Sequence, residues 1–167
     1  MRKAWLRIVQ QSAREGLGLI ARNDKEIVAA RLTLREQRGV PHSKDPDEES
    51  IPDNIAGMFK FIKVSGNAVD IFDKYQVDEY AHFFGIVSKP EYGGRGYAQK
   101  LLNLSYDLLR SEGFKYVKVE TGNPILFHVF EKHGYELVHR TTMKEFTFKG
   151  VVPVDKDDEW RVLVKKL

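Results

Sequence analysis

The segment 80–102 constrains the fold of this chain more than any other part of the sequence. Its apolar run predicts a strand over 80–88 that is buried on both faces, and Pro90 ends that strand. A glycine-rich turn at 93–98 follows, and a helix pattern over 96–111 begins at once. Glycines let successive N–H groups converge on one point, and the first turn of a helix adds unpaired N–H groups and partial positive charge. The segment therefore predicts a strand, a loop that can hold a phosphate or pyrophosphate, and a helix.

The glycines of this turn also fit a plain tight turn without a ligand, and that alternative stays open at this point. A P-loop requires Lys-Ser or Lys-Thr directly after the glycines, and neither follows here. A dinucleotide fingerprint requires a third glycine where this chain has Gln99, although Gly94 and Gly96 match its first two. Arg95 adds a full positive charge at the rim of the loop. The loop thus suits an anionic ligand but matches neither of those two motif classes.

The absence of cysteine narrows the chemistry of this chain. Disulfides, thiolate catalysis and cysteine-zinc sites are excluded, and no metal is expected. The length of 167 residues suits one domain over 1–167, and a net charge of +3 is too small and scattered to indicate nucleic-acid binding. No apolar run approaches the ~18 residues of a membrane span, and the charged N-terminus differs from a signal peptide. We therefore expect a cytoplasmic protein without a membrane partner.

The remaining periodicities predict an α+β fold with a mixed sheet. Asn23-Asp24 marks a hairpin turn between the first two strands, and the chain between 37 and 52 is a polar loop with an acidic run. The order gives a mostly antiparallel sheet with one strand-helix-strand crossover at its middle. Helices are predicted at 2–13, after a cap at Asp53 or Asn54, at 69–75 and at 124–133, and strands at 17–21, 26–34, 115–120, 135–148 with one break, and 159–165.

Two motifs in the correct order resemble those of the GNAT acetyltransferase superfamily. The first is Pro90 followed by Tyr92-Gly93-Gly94-Arg95-Gly96-Tyr97-Ala98, which is similar to the superfamily's Arg/Gln-x-x-Gly-x-Gly/Ala. The second is Asn123 followed by Phe130-Glu131-Lys132-His133-Gly134-Tyr135. This resemblance extends from Leu17 to the C-terminus. The stretches 70–78 and 159–165 further resemble the arylalkylamine N-acetyltransferases of invertebrates.

The resemblance implies a GNAT-type acyl-CoA N-acyltransferase fold, with acetyl-CoA as acyl donor and a small arylalkylamine or polyamine as acceptor. Asn123 would contact the pantetheine or thioester region, although it fits equally well as the cap of the next helix, and both roles can hold. The sheet would splay beyond the central strand to admit the pantetheine arm. The backbone that lines this arm would be that of Ile86, Val87 and Ser88, and the N–H groups that hold the pyrophosphate would be those of Gly93, Gly94, Arg95, Gly96, Tyr97 and Ala98.

The sequence departs from the superfamily pattern in three places. Gly93 stands where the motif opens with Arg or Gln, and Phe130 stands where many members place a tyrosine as general acid. Gly122 and Leu126 lie where aminergic members carry serines, and Thr121 is the nearest hydroxyl. The resemblance begins close to the second strand of the fold. The first strand and helix of the fold are therefore expected to be missing, and in the aminergic subfamily that region carries the acidic residue proposed as general base.

His82 is the best candidate for the base that the reaction needs. An alkyl ammonium with a pKa of ~10 must lose a proton before it attacks a thioester, and histidine has an unperturbed pKa near working pH. Strand alternation predicts that Tyr80, His82, Phe84 and Ile86 share one face. A core histidine that bonds to backbone remains the alternative. His128 and His133 are one residue too far apart for the i and i+4 pairing that suits a shared metal.

An aromatic acceptor pocket is a further possibility, with ordinary core packing as its alternative. The residues that would form it are Phe59, Phe61, Tyr80, Phe83 and Phe84.

Three functions compete on this evidence. The first is acetyl transfer to a small amine, and the second is a CoA-binding or interaction module without catalysis, which the missing acid and serines favour. The third is acetylation of protein lysine, because the acidic run at 45–49 could attract a basic peptide, although such runs are often only solvated. A missing edge strand would also leave the sheet exposed, so a homodimer is plausible.

Overall fold

The computed structural model describes residues 2–40, 52–154 and 157–167, so the acidic run at 45–49 lies outside the described residues. Every predicted element that falls within them is present. The helices are α1 (Arg2–Arg14), α2 (Asp53–Gly66), α3 (Ile71–Tyr75), α4 (Tyr97–Ser111) and α5 (Pro124–Lys132), and the strands are β1 (Leu19–Arg22), β2 (Ile27–Gln37), β3 (Glu79–Ser88), β4 (Tyr116–Thr121), β5 (Glu136–Thr142) and β6 (Glu159–Lys166).

The described strands form one sheet in the order β1-β2-β3-β4-β6-β5. The pairings of β1 with β2, β2 with β3 and β5 with β6 are antiparallel. β3 and β4 are neighbours in the sheet and are joined through α4, which is the predicted strand-helix-strand crossover. The predicted α+β class and the central position of β3 are therefore confirmed.

The chain divides into two compact units, so the prediction of one domain over 1–167 stays a prediction. The first unit comprises Met1–Arg38, Asp78–Val117 and Lys166–Leu167. α4 contributes an apolar side to its core, with Leu101, Leu102, Tyr106 and Leu109 buried, and α1 lies against β2. α4 packs on β1, β2 and β3, where the ring of Tyr106 lies 5.8 Å from that of Phe83.

A bulge at Phe84 interrupts the pairing of β2 with β3, because this residue has no partner on β2. Before the bulge His82 lies opposite Leu34, and after it Ile86 lies opposite Arg31. Leu34 and Arg31 are three residues apart on β2 and face opposite sides, and cross-strand partners share a side. Ile86 therefore faces away from His82, and the prediction that the two share a face is wrong.

The second unit comprises Gly39–Val77 and Lys118–Lys165, and it contains α2, α3, α5, β5 and most of β4 and β6. Phe61 on α2 is 1 % exposed, and its ring makes edge contacts with Phe146 and Trp160. Phe61 is thus a core residue of this unit, as Phe83 and Tyr80 are of the first unit. These contacts support the packing alternative for the aromatic residues.

Two local predictions are corrected or refined. Neither Asp53 nor Asn54 caps α2, because Pro52 occupies the cap position and makes no side-chain bond there. The strand predicted over 135–148 ends at Thr142, where the chain turns into a short 3-10 helix at Met143–Glu145. In the described part of the chain, no helix combines the length and the apolar character needed to cross a membrane.

Candidate functional site

The glycine-rich turn after β3 has an open backbone. Pro90–Tyr92 forms one 3-10 turn, and the N–H of Gly93 donates to the carbonyl of Pro90 at 3.0 Å. Gly94 and Gly96 have φ of 71° and 76°, a left-handed conformation that favours glycine, and a Cβ at either would meet nothing within 4 Å. The turn is therefore shaped by glycine geometry, with free space beside it.

The N-terminus of α4 follows this turn directly. Gly96 occupies the cap position and, as a glycine, provides no side-chain cap for the first turn of the helix. Arg95 is exposed, and its guanidinium carbon lies 5.0 Å from the centre of the Tyr92 ring. The uncapped N–H groups, the helix dipole and this cation together favour an anion. Of the six predicted pyrophosphate donors only Gly93 is unsuited, because its N–H is already bonded to Pro90.

The hairpin between β1 and β2 supports the segment that leads into the turn. The hydroxyl of Tyr92 donates to Glu26 at 3.1 Å and accepts from the Asn23 amide at 2.9 Å, and Lys89 forms an ion pair with Glu26. Bonds from Lys89 and then Tyr92 lower the pKa of Glu26 below its ordinary 4.5, and the bond to Glu26 raises the pKa of Lys89 above 10.5. The contribution of ionised Glu26 to folding stability is lost only as pH falls through its lowered pKa. The contribution of charged Lys89 is lost only as pH rises through its raised pKa. The pair is thus intact around neutral pH.

We expect Glu26→Gln to raise the KM for acetyl-CoA by about 2- to 5-fold with kcat unchanged, since an exposed ion pair contributes little to stability. The physical reason is that the variant releases Lys89 and weakens the support of Tyr92, which precedes the turn. Steady-state kinetics with varied acetyl-CoA measures the effect. The matched control is Asp24→Asn, which removes one charge from an exposed neighbour of the same hairpin. Equal KM values in the two variants would contradict the supporting role.

The predicted pantetheine segment lies at the end of β3. Ile86, Val87 and Ser88 pair with Arg31, Ala30 and Ala29 on β2, which therefore occupies one backbone edge of the segment. The side chain of Val87 is 63 % exposed, although it lies in the middle of the sheet. An apolar side chain left open here is compatible with contact to a bound ligand.

The predicted base His82 lies next to a carboxylate that the sequence analysis missed. Its Nδ1 atom is 3.3 Å from Oε1 of Glu36, and the side chains are 13 % and 6 % exposed. The ring also makes an edge contact with Phe84 at 5.7 Å. An imidazole held beside a buried carboxylate can accept and hold a proton, as a general base must.

Asn123 caps α5 as predicted and lies beside a cavity of about 230 Å³ in the second unit. Its side-chain oxygen accepts from the N–H of Ile125 at 2.9 Å, while its own N–H donates to Thr121 at 3.0 Å. Within the described part of the chain, its side-chain amide nitrogen has no partner, so it remains able to donate to a ligand. Arg161 lines the same cavity and is neutralised by bonds to Glu159 of 2.8 and 3.0 Å.

Residues 3–135 match the sequence model of the acetyltransferase (GNAT) family. The chain belongs to the GNAT family. The resemblance inferred from the glycine turn and the second motif is thereby confirmed, and members of this family use acetyl-CoA.

Solved structures share the fold of this GNAT chain. Arylalkylamine N-acetyltransferase 2 from Aedes aegypti matches with a TM-score of 0.81 and 15% identity, covering 99% of this chain and 80% of that one. A mosquito arylalkylamine N-acetyltransferase like 5b gives 0.74 and 21%, covering 92% and 76%. The polyamine N-acetyltransferase of Drosophila melanogaster gives 0.68 and 16%, covering 93% and 77%. At these identities the likeness shows the fold alone.

Two departures from the GNAT pattern have structural reasons. Phe130 is 3 % exposed and packs edge-on against Tyr135 at 5.0 Å, so this position serves the core. A Cβ on Gly122 would overlap the methyl group of Met143 and lie 3.1 Å from the Trp160 ring. A serine at Gly122 would therefore require Met143 to move.

The other described histidines are poor candidates for the base. His128 is exposed and lies 3.1 Å from Glu131 on the same helix. Burial, and to a smaller extent the charge of Lys165, lowers the pKa of His133. His133 is also the C-cap residue of α5. His139 lies 2.7 Å from the hydroxyl of Thr141. Only His82 combines burial with a neighbouring carboxylate among the described histidines.

Proposed function

We propose that this GNAT chain is an N-acetyltransferase that moves the acetyl group of acetyl-CoA to a primary amine. The observation that carries the proposal is the glycine turn at the end of β3, which opens onto the uncapped N-terminus of α4. Acetyl-CoA carries a pyrophosphate, and such a turn suits that group. A small arylalkylamine or polyamine is the proposed acceptor, because solved structures with this fold include an arylalkylamine N-acetyltransferase and a polyamine N-acetyltransferase.

Different segments of the chain would bind different parts of acetyl-CoA. The N–H groups of Gly94, Arg95, Gly96, Tyr97 and Ala98 would hold the pyrophosphate, and the backbone of 86–88 would line the pantetheine arm. Acetyl-CoA supplies an activated acetyl group as a thioester. A backbone N–H near Val87 would polarise the thioester oxygen.

His82 would carry the proton transfer. The acceptor arrives as an ammonium, and His82 takes one proton, so that the neutral nitrogen can attack the carbonyl carbon. The C–N bond forms, the C–S bond breaks, and the second amine proton leaves to solvent. CoA can depart as a thiolate because a thiol has a pKa of ~8.5 and needs no strong acid. The absence of a tyrosine at Phe130 is therefore compatible with turnover.

A thermal melt tests the binding step directly. Acetyl-CoA at 100 times its dissociation constant adds ~2.7 kcal/mol to the free energy of unfolding, or about 5–10 °C in a domain of this size. We expect that shift in the wild type and no shift above ~1 °C in Gly94→Asp, whose carboxylate would repel the pyrophosphate at short range. The measurement is the melting temperature with and without acetyl-CoA.

Gly113→Asp is the matched control for this variant. Gly113 follows α4 at its other end, has a φ of 84°, and a Cβ there would also meet nothing within 4 Å. The two aspartates therefore carry similar backbone strain, and only the one at position 94 lies at the proposed site. An equal acetyl-CoA shift in both variants would contradict the pyrophosphate turn.

A CoA-binding module without catalysis is the second candidate, because Phe130 and Gly122 both lack the hydroxyl that the family pattern offers. Both functions predict a higher melting temperature with acetyl-CoA, but only the acetyltransferase predicts amine-dependent turnover. CoA release with a panel of arylalkylamines and polyamines separates them. Release no faster than hydrolysis of acetyl-CoA alone, in a protein that still shows the thermal shift, would favour the second candidate.

A further inference from the structure

We propose that Glu36 is a positioning residue that fixes the tautomer of His82. Its carboxylate accepts the proton on Nδ1, so that Nε2 is the unprotonated nitrogen that takes the proton of the amine. This inference rests on the proposed function of His82 as a base. It adds a second residue, from another strand, on which the base depends.

The register of the sheet brings the two side chains together. Leu34 lies directly opposite His82, and Glu36 is two residues further along β2. Residues two apart on a strand share a face, so Glu36 is the diagonal cross-strand neighbour of His82. Long side chains can meet across such a diagonal, and here Nδ1 and Oε1 are 3.3 Å apart. The contact is therefore built into regular strand geometry and does not depend on a loop.

The surroundings hold the imidazole in one orientation. One edge of the ring faces Phe84 at 5.7 Å, and Phe84 in turn meets the indole of Trp5 from α1 at 5.7 Å. The Phe84 bulge thus places an aromatic wall against His82, and Glu36 fixes the Nδ1 side. These two contacts restrict the orientation of the ring.

Burial makes the carboxylate effective. Glu36 is 6 % exposed, so its interaction with an imidazole is screened by water far less than that of a surface pair. When Nε2 takes a proton from the ammonium, both ring nitrogens become donors, and the imidazolium charge faces the Glu36 carboxylate. No proton needs to move to Glu36. The catalytic triad of serine hydrolases uses a carboxylate beside a histidine in the same way.

Nitrogen NMR of ¹⁵N-histidine-labelled protein tests this assignment without requiring activity. Loss of signals in His82→Gln identifies the resonances of His82. In the neutral ring of the wild type we expect a protonated Nδ1 and an unprotonated Nε2. Glu36→Gln keeps an oxygen acceptor and should keep this tautomer, whereas Glu36→Met has a similar length and no acceptor and should lose it.

Kinetics of the same variants gives the second measurement. We expect Glu36→Met to lower kcat by about 10- to 100-fold, by analogy with the loss of carboxylates that orient metal-ligating imidazoles, with the acetyl-CoA KM within about 2-fold of wild type. Glu36→Gln should fall between wild type and Glu36→Met. Asp78→Asn, which removes a charge from a 94 % exposed side chain next to β3, is the control and should leave kcat unchanged. Thermal melts check that each variant is folded.

The outcomes separate this inference from the proposed function. A protonated Nε2 in the wild type, or an unchanged tautomer in Glu36→Met, overturns the role of Glu36 whether or not the protein acetylates amines. A wild type with the expected tautomer but no amine-dependent CoA release leaves Glu36 as the partner of His82 and overturns the proposed function instead.

Discussion

His82→Gln is expected to lower kcat for amine acetylation by about 100- to 10,000-fold, the usual contribution of a positioned general base. Glutamine fills a similar volume and can still bond to Glu36, but it cannot take a proton from an ammonium. The pyrophosphate turn is untouched, so the acetyl-CoA KM and the thermal shift with acetyl-CoA should remain within about 2-fold and ~1 °C of wild type. Steady-state CoA release at saturating amine measures the loss.

The pH of the assay provides a second check on this variant. At high pH more of the amine is already neutral, so the deficit of His82→Gln should shrink as pH rises toward the pKa of the acceptor, ~10. His128→Gln is the matched control, because His128 is exposed and contacts only its own helix neighbours among the described residues. A full wild-type rate in His82→Gln at neutral pH would show that water or another group removes the proton.

Lys118→Met is expected to produce the largest loss of stability of any single change considered for this chain. Lys118 on β4 is 3 % exposed, donates to the carbonyl of Gly66 at 2.7 Å and pairs with Glu120 at 2.8 Å. Alternation places Lys118 and Glu120 on one face of the strand. Removal of the cation leaves the Glu120 carboxylate buried without this partner, which costs about 3–5 kcal/mol.

The expected result is a melting temperature lower by about 6–20 °C, from ~2–4 °C per kcal/mol in a domain of this size. Differential scanning calorimetry or denaturant unfolding measures the change. The double variant Lys118→Met, Glu120→Leu removes both charges and should recover more than half of the lost stability, since replacing a buried ion pair by apolar residues is often neutral. A double variant as unstable as Lys118→Met alone would assign the loss to Gly66 and the packing around it.

The periodicity of the sequence predicted nearly all of the fold, because the pattern of apolar residues fixes which elements form. Glycine and proline placed the ends of β3 and α4 correctly. The cap of α2 was predicted wrongly because the polar residues Asp53 and Asn54 suggest a cap, whereas Pro52 takes that position. The face of Ile86 was predicted wrongly because simple alternation assumes an unbroken strand. A bulge depends on the register between two strands, so the sequence of β3 alone does not reveal it.

The candidate site was only half visible in the sequence. His82 and the glycine turn stand out by residue type, and both lie in one continuous segment. Glu36 was missed because its partner is 46 residues away and only the register of β2 against β3 joins them. The one signal available was that Glu36 comes two residues after Leu34, so that alternation along β2 places both on the same, buried face.

The Phe84 bulge has a consequence for how this strand can change length. Deleting any other residue of β3 would turn every side chain on one side of the deletion to the opposite face of the sheet. Deleting Phe84 would join Phe83 to Gly85, whose partners on β2 are already consecutive, so both halves of the strand would keep their faces. Among homologous sequences, a one-residue gap in this strand is therefore most compatible with the fold at this position.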